Sequence, residues 1–349
     1  VLKARAVGIE IIGDVEIFAR ERAAHCPEAP FIAITGTNGK STTTALVAHI
    51  LKSAGHDVQM GGNIGRAILT LDPPAQNRFH VIEMSSFQID LTPTLKPTVG
   101  VLLNVTPDHL DRHGTIENYA AVKERLVQGA DVASIGVDDD ICLAILERRL
   151  NAGLACALSA DRKLAPGYSM LGGEVVCSDA TGLAVKLGDL AGVATLRGKH
   201  NAQNALAAIS SVRECLARIG HKTDLNWQTA LATFPGLAHR MEEIGNIGRI
   251  LFINDSKATN AESTEKALLA FPRDVFWILG GKPKEGGIES LRPYFEGVVR
   301  AYLIGAASDE FSKTLDGDTA IIPCGTLDVA VARAAADAAA YARGEAMLS

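Results

Sequence analysis

Several features are missing from this 349-residue chain, and each absence removes a class of function. No apolar run of about twenty residues occurs, so no membrane-spanning helix is predicted. The six cysteines (Cys26, Cys142, Cys156, Cys177, Cys215 and Cys324) form no C-x-x-C pair and have no histidine at zinc spacing. Reduced thiols are therefore expected in place of disulfides or a zinc knuckle. No Lys/Arg cluster interrupts a net charge of −6 and a pI near 5.9, which argues against bulk nucleic-acid binding. The opening stretch "VLKARAVGIEIIGD" lacks a sustained apolar core and a small-residue cleavage site, so it is not a secretory signal, and a cytoplasmic location is expected. It also lacks an initiator methionine, which reads as a fragment. No short repeat period is visible, which excludes a solenoid.

What is present is ordinary for a folded protein: 47% hydrophobic and 21% charged residues, and enough length for two or three domains. One stretch carries chemistry. In "FIAITGTNGKSTTTALVAHILKSAG" (31–55), Phe31 to Thr35 read as a buried strand. Leu46, Val47, Ile50, Leu51 and Ala54 then fall at helical spacing before Gly55, which suits a C-cap. A strand, a glycine turn and a helix aim the N–H groups of a helix N-terminus at one point beside Lys40, and the natural guest is a phosphate. Ser41 or Thr42 can ligate the magnesium of a nucleotide. The full phosphate-loop pattern requires glycine at position 34, where this chain has Ile34. Gly36, Gly39, Lys40 and Ser41 remain, and the alternative is an ordinary glycine turn before a helix.

Strands and helices alternate along the chain, the pattern of parallel α/β architecture. "FHVIEMSSF", "VGVLLNVTPDHLD" and "ADVASIGVDDD" are apolar strands that run into polar residues at the edge where parallel sheets bind ligands. Residues 151–198 read as a mixed or antiparallel excursion, and "GKHNAQNALAAISSVRECLARIG" as a long helix. "FPGLAHRME" (234–242) is the best boundary, followed by a second α/β unit with four apolar strands beginning "RILFIN", "DVFWILGG", "VRAYLIG" and "AIIPCG".

At the strand ends, Glu83 is either a magnesium ligand or a solvated acid. Asp108, His109, Asp111 and His113 cluster after the next strand, where His109 is either a second metal ligand or a hydrogen-bonding group. Lys123 reads as a solvent-facing helix lysine. Arg240 at the boundary can reach phosphate. "NDSKATN" puts Asp255, Ser256, Lys257, Thr259 and Asn260 between a strand and a helix, where Ser256 or Asn260 can simply cap.

Taken in order, "GTNGKST", "GGNIG", "EMSSFQ", "LNVTPDHLDRHG", "GKHNAQNALAA", "GLAHRME", "NDSKATN" and "LGG" resemble the Mur ligase family over nearly the whole chain. That family uses the same shortened loop. The resemblance implies a central P-loop-type ATPase domain (14–236) with a mostly parallel sheet and a Rossmann-like C-terminal domain (237–349) that binds an amino acid. It also implies that residues 1–13 are the exit linker of a missing UDP-binding domain and that the C-terminus is clipped. Within the family, the "NDSKATN" turn implies D-glutamate joined to UDP-N-acetylmuramoyl-L-alanine through an acyl phosphate, with ATP split to ADP. This is a step of peptidoglycan synthesis serving cell wall, cell shape and division.

By the same resemblance Gly36, Thr37, Asn38, Gly39, Lys40, Ser41 and Thr42 cradle the phosphates, and Asn204, Arg240 and Asp255 hold the nucleotide. Ser41, Glu83, His109 and a carbamoylated Lys123 serve two magnesium ions, and Asn63 and Ser85 touch the muramoyl substrate. Lys257, Thr259 and Lys284, rather than Lys282, position D-glutamate or the reacting phosphate. Lys40, Lys123, His109 and Lys257 carry the catalytic roles, in a monomer without nucleic-acid or membrane partners. A sister ligase, a folylpolyglutamate synthase and a nucleotide-binding ATPase without ligase activity are the alternatives.

Overall fold

The computed structural model describes residues 7–282, 286–345 and 347. The chain divides into two compact units, Val1–Gly236 and Leu237–Ser349.

In the first unit, helix α1 (Asp14–His25) leads to strand β1 (Phe31–Thr35), helix α2 (Lys40–Ser53), β2 (Asp57–Gly62) and β3 (Arg78–Glu83). A short helix α3 (Ser86–Asp90), β4 (Val99–Leu102), α4 (Leu110–His113) and α5 (Ile116–Gln128) follow. Then come β5 (Val132–Gly136), α6 (Asp140–Ala152), β6 (Leu154–Ser159), β7 (Gly167–Leu171), β8 (Glu174–Ser178) and β9 (Ala184–Asp189). Helices α7 (Lys199–Arg218) and α8 (Trp227–Ala232) close the unit.

The nine strands form one sheet in the order β2-β3-β1-β4-β5-β6-β7-β8-β9. Pairing is parallel from β2 through β7 and antiparallel at β7–β8 and β8–β9. All five residues of β1 are buried, because a central parallel strand is covered on both faces and therefore reads as an unbroken apolar run. Helices α2 and α7 pack on one another against one face of the sheet. On the other side, α1, α5 and α6 contribute Val15, Phe18, Tyr119, Leu126 and Ile145 to the main core.

Helix α2 stops as its sequence predicts. Gly55 has φ +85°, its N–H donates to the Lys52 carbonyl at 2.9 Å, and the His56 N–H donates to the Leu51 carbonyl at 3.1 Å. This paired closure satisfies two of the helix's last carbonyls. The strand order also fixes where a ligand goes. The chain leaves β1 toward β2 on one side and returns to β4 on the other, so β1 sits at the point of reversal, where open parallel sheets leave a crevice past the strand ends.

The second unit holds an antiparallel pair, β10 (Glu242–Ile247) and β11 (Ile250–Asn254), helix α9 (Ala261–Ala270), and a parallel sheet in the order β12-β13-β14. These three strands are Val275–Gly280, Val298–Ile304 and Ala320–Gly325; α10 (Ser308–Leu315) and α11 (Leu327–Arg343) complete the unit. "RILFIN" is thus paired with the polar "EEIGNI" strand, and among the described residues it has no place in the parallel sheet. The turn at Gly248, φ +60°, makes that hairpin local. Tyr302 is fully buried, and its hydroxyl donates to Asp337 Oδ2 at 2.5 Å, tying α11 to β13. No helix among the described residues is long and apolar enough to cross a membrane.

Candidate active site

The loop after β1 is shaped by two glycines. Gly36 lies so close to Leu103 that a Cβ would come within 2.9 Å of that residue's Cβ. Gly39, the residue before α2, is left-handed at φ +85°, and a Cβ there would lie 2.3 Å from Asn204 Oδ1. Only glycine meets both demands. Gly39→Ala is expected to cost about 1–3 kcal/mol of stability and to weaken nucleotide binding, read by thermal unfolding and nucleotide titration.

The segment after β4 clamps this loop. The Thr37 N–H donates to the Asn104 carbonyl at 2.9 Å, and the Asn38 N–H to Asn104 Oδ1 at 2.8 Å. Asn104 Nδ2 donates in turn to Gln203 Oε1 on α7 at 2.8 Å. The Thr37 hydroxyl donates to the Thr106 carbonyl at 3.1 Å and accepts from the Thr106 N–H at 3.0 Å. A loop held from outside keeps the N-terminal amides of α2 in place before a ligand arrives, and such amides favour an anion. Asn104 and Gln203 escaped the sequence reading; the usable signal was an asparagine directly past a strand that ends beside the loop.

Two lysines meet at one carbonyl. Lys40 Nζ donates to the carbonyls of Gly36 at 3.0 Å and Thr37 at 2.7 Å. Lys123 Nζ donates to the same Gly36 carbonyl at 2.8 Å and to Thr35 Oγ1 at 3.3 Å. Lys123 is therefore not a solvent-facing helix residue: it is 1% exposed, with its ammonium 4.6 Å from the Tyr119 ring centroid. Burial, and then the neighbouring Lys40 cation, push its pKa down to about 7, against the weaker pull of Asp108 and Glu83. The physical reason for its position is register along α5. Tyr119, Ala120, Leu126 and Val127 form the buried stripe, and Lys123 stands four residues from both Tyr119 and Val127.

Glu83 ends β3 opposite Ile34 and is 2% exposed. Its Oε1 accepts from Asn63 Nδ2 at 2.9 Å, while its Oε2 is buried with no hydrogen-bond partner. An unpartnered carboxylate oxygen beside a phosphate loop fits a hard divalent cation such as magnesium, and Ser41 on the first turn of α2 adds a hydroxyl. Among the described residues no group of three or more His, Cys, Asp or Glu can hold a metal. One carboxylate and one hydroxyl would be a sparse protein share, of the kind that suits a magnesium ion whose other ligands are phosphates and water.

Asn204 is buried; its Oδ1 accepts from Thr43 Oγ1 at 3.2 Å and its Nδ2 donates to Asn201 at 2.9 Å. Ser85 is the N-cap of α3, accepting from the Gln88 N–H at 3.3 Å while Gln88 reaches back to the Ser85 N–H at 3.1 Å. His109 is about half exposed in a left-handed conformation, φ 52°, with Nε2 3.5 Å from Asp108 and its ring edge-on to Phe87. His113, whose Nε2 lies 3.0 Å from Ser86 Oγ, is held below its usual pKa by burial first, with Arg112, His109 and Lys123 adding to it.

In the second unit the "AHRME" and "NDSKATN" segments come together. The Met241 N–H donates to Asp255 Oδ1 at 3.0 Å, and the Lys257 N–H to the His239 carbonyl at 3.0 Å. Burial raises the Asp255 pKa, opposed by that N–H and by the Arg240 charge. His239 and Met241 flank Arg240 with φ of +64° and +48°, a strained pair of the kind that marks binding turns. The Thr259 N–H donates to the Lys257 carbonyl at 3.0 Å, and Asn260 caps α9 through the Ser263 N–H at 2.8 Å. Lys284 lies outside the described residues.

A clamped glycine loop at the reversal point of a parallel sheet, with a lysine and a buried carboxylate beside it, defines a phosphate-loop nucleotide-binding protein. The Mur ligase middle domain matches residues 34–212. UDP-N-acetylmuramoylalanine–D-glutamate ligase of Nitrobacter winogradskyi is 55% identical over 352 aligned residues, 100% of this chain and 74% of that relative. The enzyme of the same name from Chelativorans sp. is 56% identical over 96% of this chain and 71% of its own. Among solved structures, MurF ligase from Thermotoga maritima in complex with ADP aligns with a TM-score of 0.61 at 16% identity, covering 91% of this chain and 81% of that one. The chain belongs to the Mur ligase family, and it is an ATP-dependent acid–amino-acid ligase.

Proposed function

We propose that the chain adds D-glutamate to UDP-N-acetylmuramoyl-L-alanine, splitting ATP to ADP and phosphate, as a monomer in the cytoplasm. What carries this reading is the convergence of Lys40, Lys123 and the unpartnered Glu83 oxygen around the Gly36 turn, in a chain 55% identical over its full length to a ligase of that name.

In this reaction the L-alanine carboxylate oxygen attacks the γ-phosphorus, the bond to the β-phosphate oxygen breaks, and ADP leaves an acyl phosphate. The D-glutamate nitrogen then attacks the acyl carbon, the carbon–oxygen bond to phosphate breaks, and the amine proton passes to a base. Carboxylate and triphosphate repel one another, so the site must offset charge while holding the atoms in line. Lys40 and the amides of the Gly36–Thr42 loop hold the phosphates; Asn204, Arg240 and Asp255 hold the nucleotide. Magnesium supplies further charge neutralisation on the triphosphate. Ser41 and Glu83 hold one ion, and His109 with a carbamoylated Lys123 holds a second. Carbamoylation needs a neutral amine, and the burial that pushes Lys123 down to about 7 supports one near neutral pH. Asn63 and Ser85 contact the muramoyl substrate, and Lys257, Thr259 and Lys284 position D-glutamate.

Phosphate release by the purified protein is expected to require UDP-N-acetylmuramoyl-L-alanine and D-glutamate together. Release with a different amino acid across a panel would assign a sister ligase or a folylpolyglutamate synthase instead, and release with neither acceptor would leave an ATPase.

A further inference from the structure

A cavity of about 340 Å³ opens between β6, β7, β8 and the C-terminal half of α7. That volume lies within the range of small-molecule sites. It is separate from the phosphate loop: Arg213 in its wall is nine residues beyond Asn204 on α7, about 13 Å along the helix axis.

The wall carries both charge signs from consecutive residues of α7, Arg213 and Glu214. Arg213 Nη1 is buried without a hydrogen-bond partner, and so is the Oγ of Ser178, a residue only 3% exposed. Buried donors left unmade are costly, most of all on a charged group, so two of them lining one pocket point to a missing acceptor. Glu214 is oriented from the side: the Tyr168 hydroxyl donates to its Oε1 at 2.8 Å. Burial, with the Glu214 carboxylate adding to it, pushes the Cys156 thiol well above its usual range, so the sulfur stays a neutral wall atom. Ala155, Ala157 and Ala217 add a small apolar surface to a lining that also holds Cys177 and Thr223.

The Arg213 guanidinium is drawn to the Cys177 sulfur and the Glu214 carboxylate but keeps Nη1 without a partner, so that nitrogen, the Ser178 hydroxyl and the positioned carboxylate give the pocket a positive and a negative pole. We propose that this cavity binds a small zwitterion of the α-amino-acid class, its carboxylate on Arg213 and Ser178, its ammonium on Glu214 and an aliphatic side chain against the alanines. Arg is suited to the first role because its fork takes both carboxylate oxygens.

The test uses L-valine, isovalerate, which lacks the amine, and isobutylamine, which lacks the carboxylate. Each is titrated into the whole protein and followed by amide NMR shifts. Valine should move resonances of β6, β7 and β8 and bind at least tenfold more tightly than either half-molecule. Arg213→Met should weaken valine at least tenfold and leave isobutylamine unchanged, while Glu214→Gln should weaken valine and leave isovalerate unchanged. Unaltered nucleotide affinity in both variants reports that the unit still folds. Valine that fails to bind, or that binds Arg213→Met as tightly as the unaltered protein, overturns the proposal; isovalerate equal to valine overturns the zwitterion assignment.

Discussion

Replacing Lys123 with methionine is expected to lower the rate of phosphate release by about 10²–10³-fold while making the protein more stable. Methionine keeps the length and fills the same space under Tyr119, so packing is preserved. What disappears is the ammonium that α5 extends to the Gly36 carbonyl, together with any carbamate built on it. The stability gain has a defined pH dependence. The folded pKa is depressed from 10.5 to about 7, so below pH 7 the folded and unfolded chains both hold the proton and the folded state bears the full cost of a buried cation. As pH rises from about 7 to 10.5 the folded protein is already neutral, the unfolded chain still binds the proton, and the cost fades. In carbon-dioxide-free buffer, Lys123→Met should therefore exceed the unaltered protein in denaturant midpoint most at pH 7 and below, with the two converging toward pH 10.5. A gap that is flat with pH would contradict the buried-amine reading. Carbamoylation has its own signature: ¹³C-bicarbonate should give a carbamate resonance in the unaltered protein and none in Lys123→Met.

Glu83→Gln is the second large effect, and it too separates function from stability. The substitution keeps an oxygen for Asn63 Nδ2 and removes the charge from a side chain that is 2% exposed with one oxygen unpartnered. Without metal, one oxygen of that carboxylate is buried with no hydrogen-bond partner, and replacing it should raise stability by about 1–3 kcal/mol. With magnesium and nucleotide the order should reverse, because a ligand that binds only the folded state stabilises by mass action and the variant has lost a ligating oxygen. Turnover should fall by about 10²–10⁴-fold, the scale of several kcal/mol of lost charge stabilisation. Thermal midpoints with and without magnesium nucleotide, together with the magnesium dependence of turnover, check both halves. A Glu83→Gln protein still stabilised by magnesium nucleotide as strongly as the original would remove this residue from the metal site.

Both residues show how unevenly the site could be read. Glu83 was legible because a buried parallel strand announces its own end, and the polar residue there faces the ligand edge whatever the surrounding detail. Lys123 was legible only through the family resemblance, because a lysine on an amphipathic helix is normally outside. Among its own neighbours, its spacing from Tyr119 and Val127 hints that it shares their stripe, and a stripe in sequence does not tell which of its members faces a ligand. Asn104 was missed for a related reason: its value lies in hydrogen bonds to residues 66 and 99 positions away. In the second unit, "RILFIN" read as one of four apolar strands of an α/β unit, since apolarity gives no direction or partner of pairing. The polar partner "EEIGNI", with Ile244 and Ile247 exposed, carried no strand signal of its own.

The linear chain by itself determined the β1–loop–α2 unit, since buried strand, glycine turn, Lys40 and helix stop are all local and need only neighbouring residues to form. It also determined the alternation that makes the sheet parallel. Tertiary structure alone decided which polar groups gather at the loop: Lys123 from α5, Glu83 from β3, Asn104 past β4 and Asn204 from α7 are far apart in sequence and meet only because the strand order reverses at β1. Packing also decided their chemistry, because a carboxylate oxygen without a donor and an amine near neutrality come from exclusion of water, which no spacing of residues records.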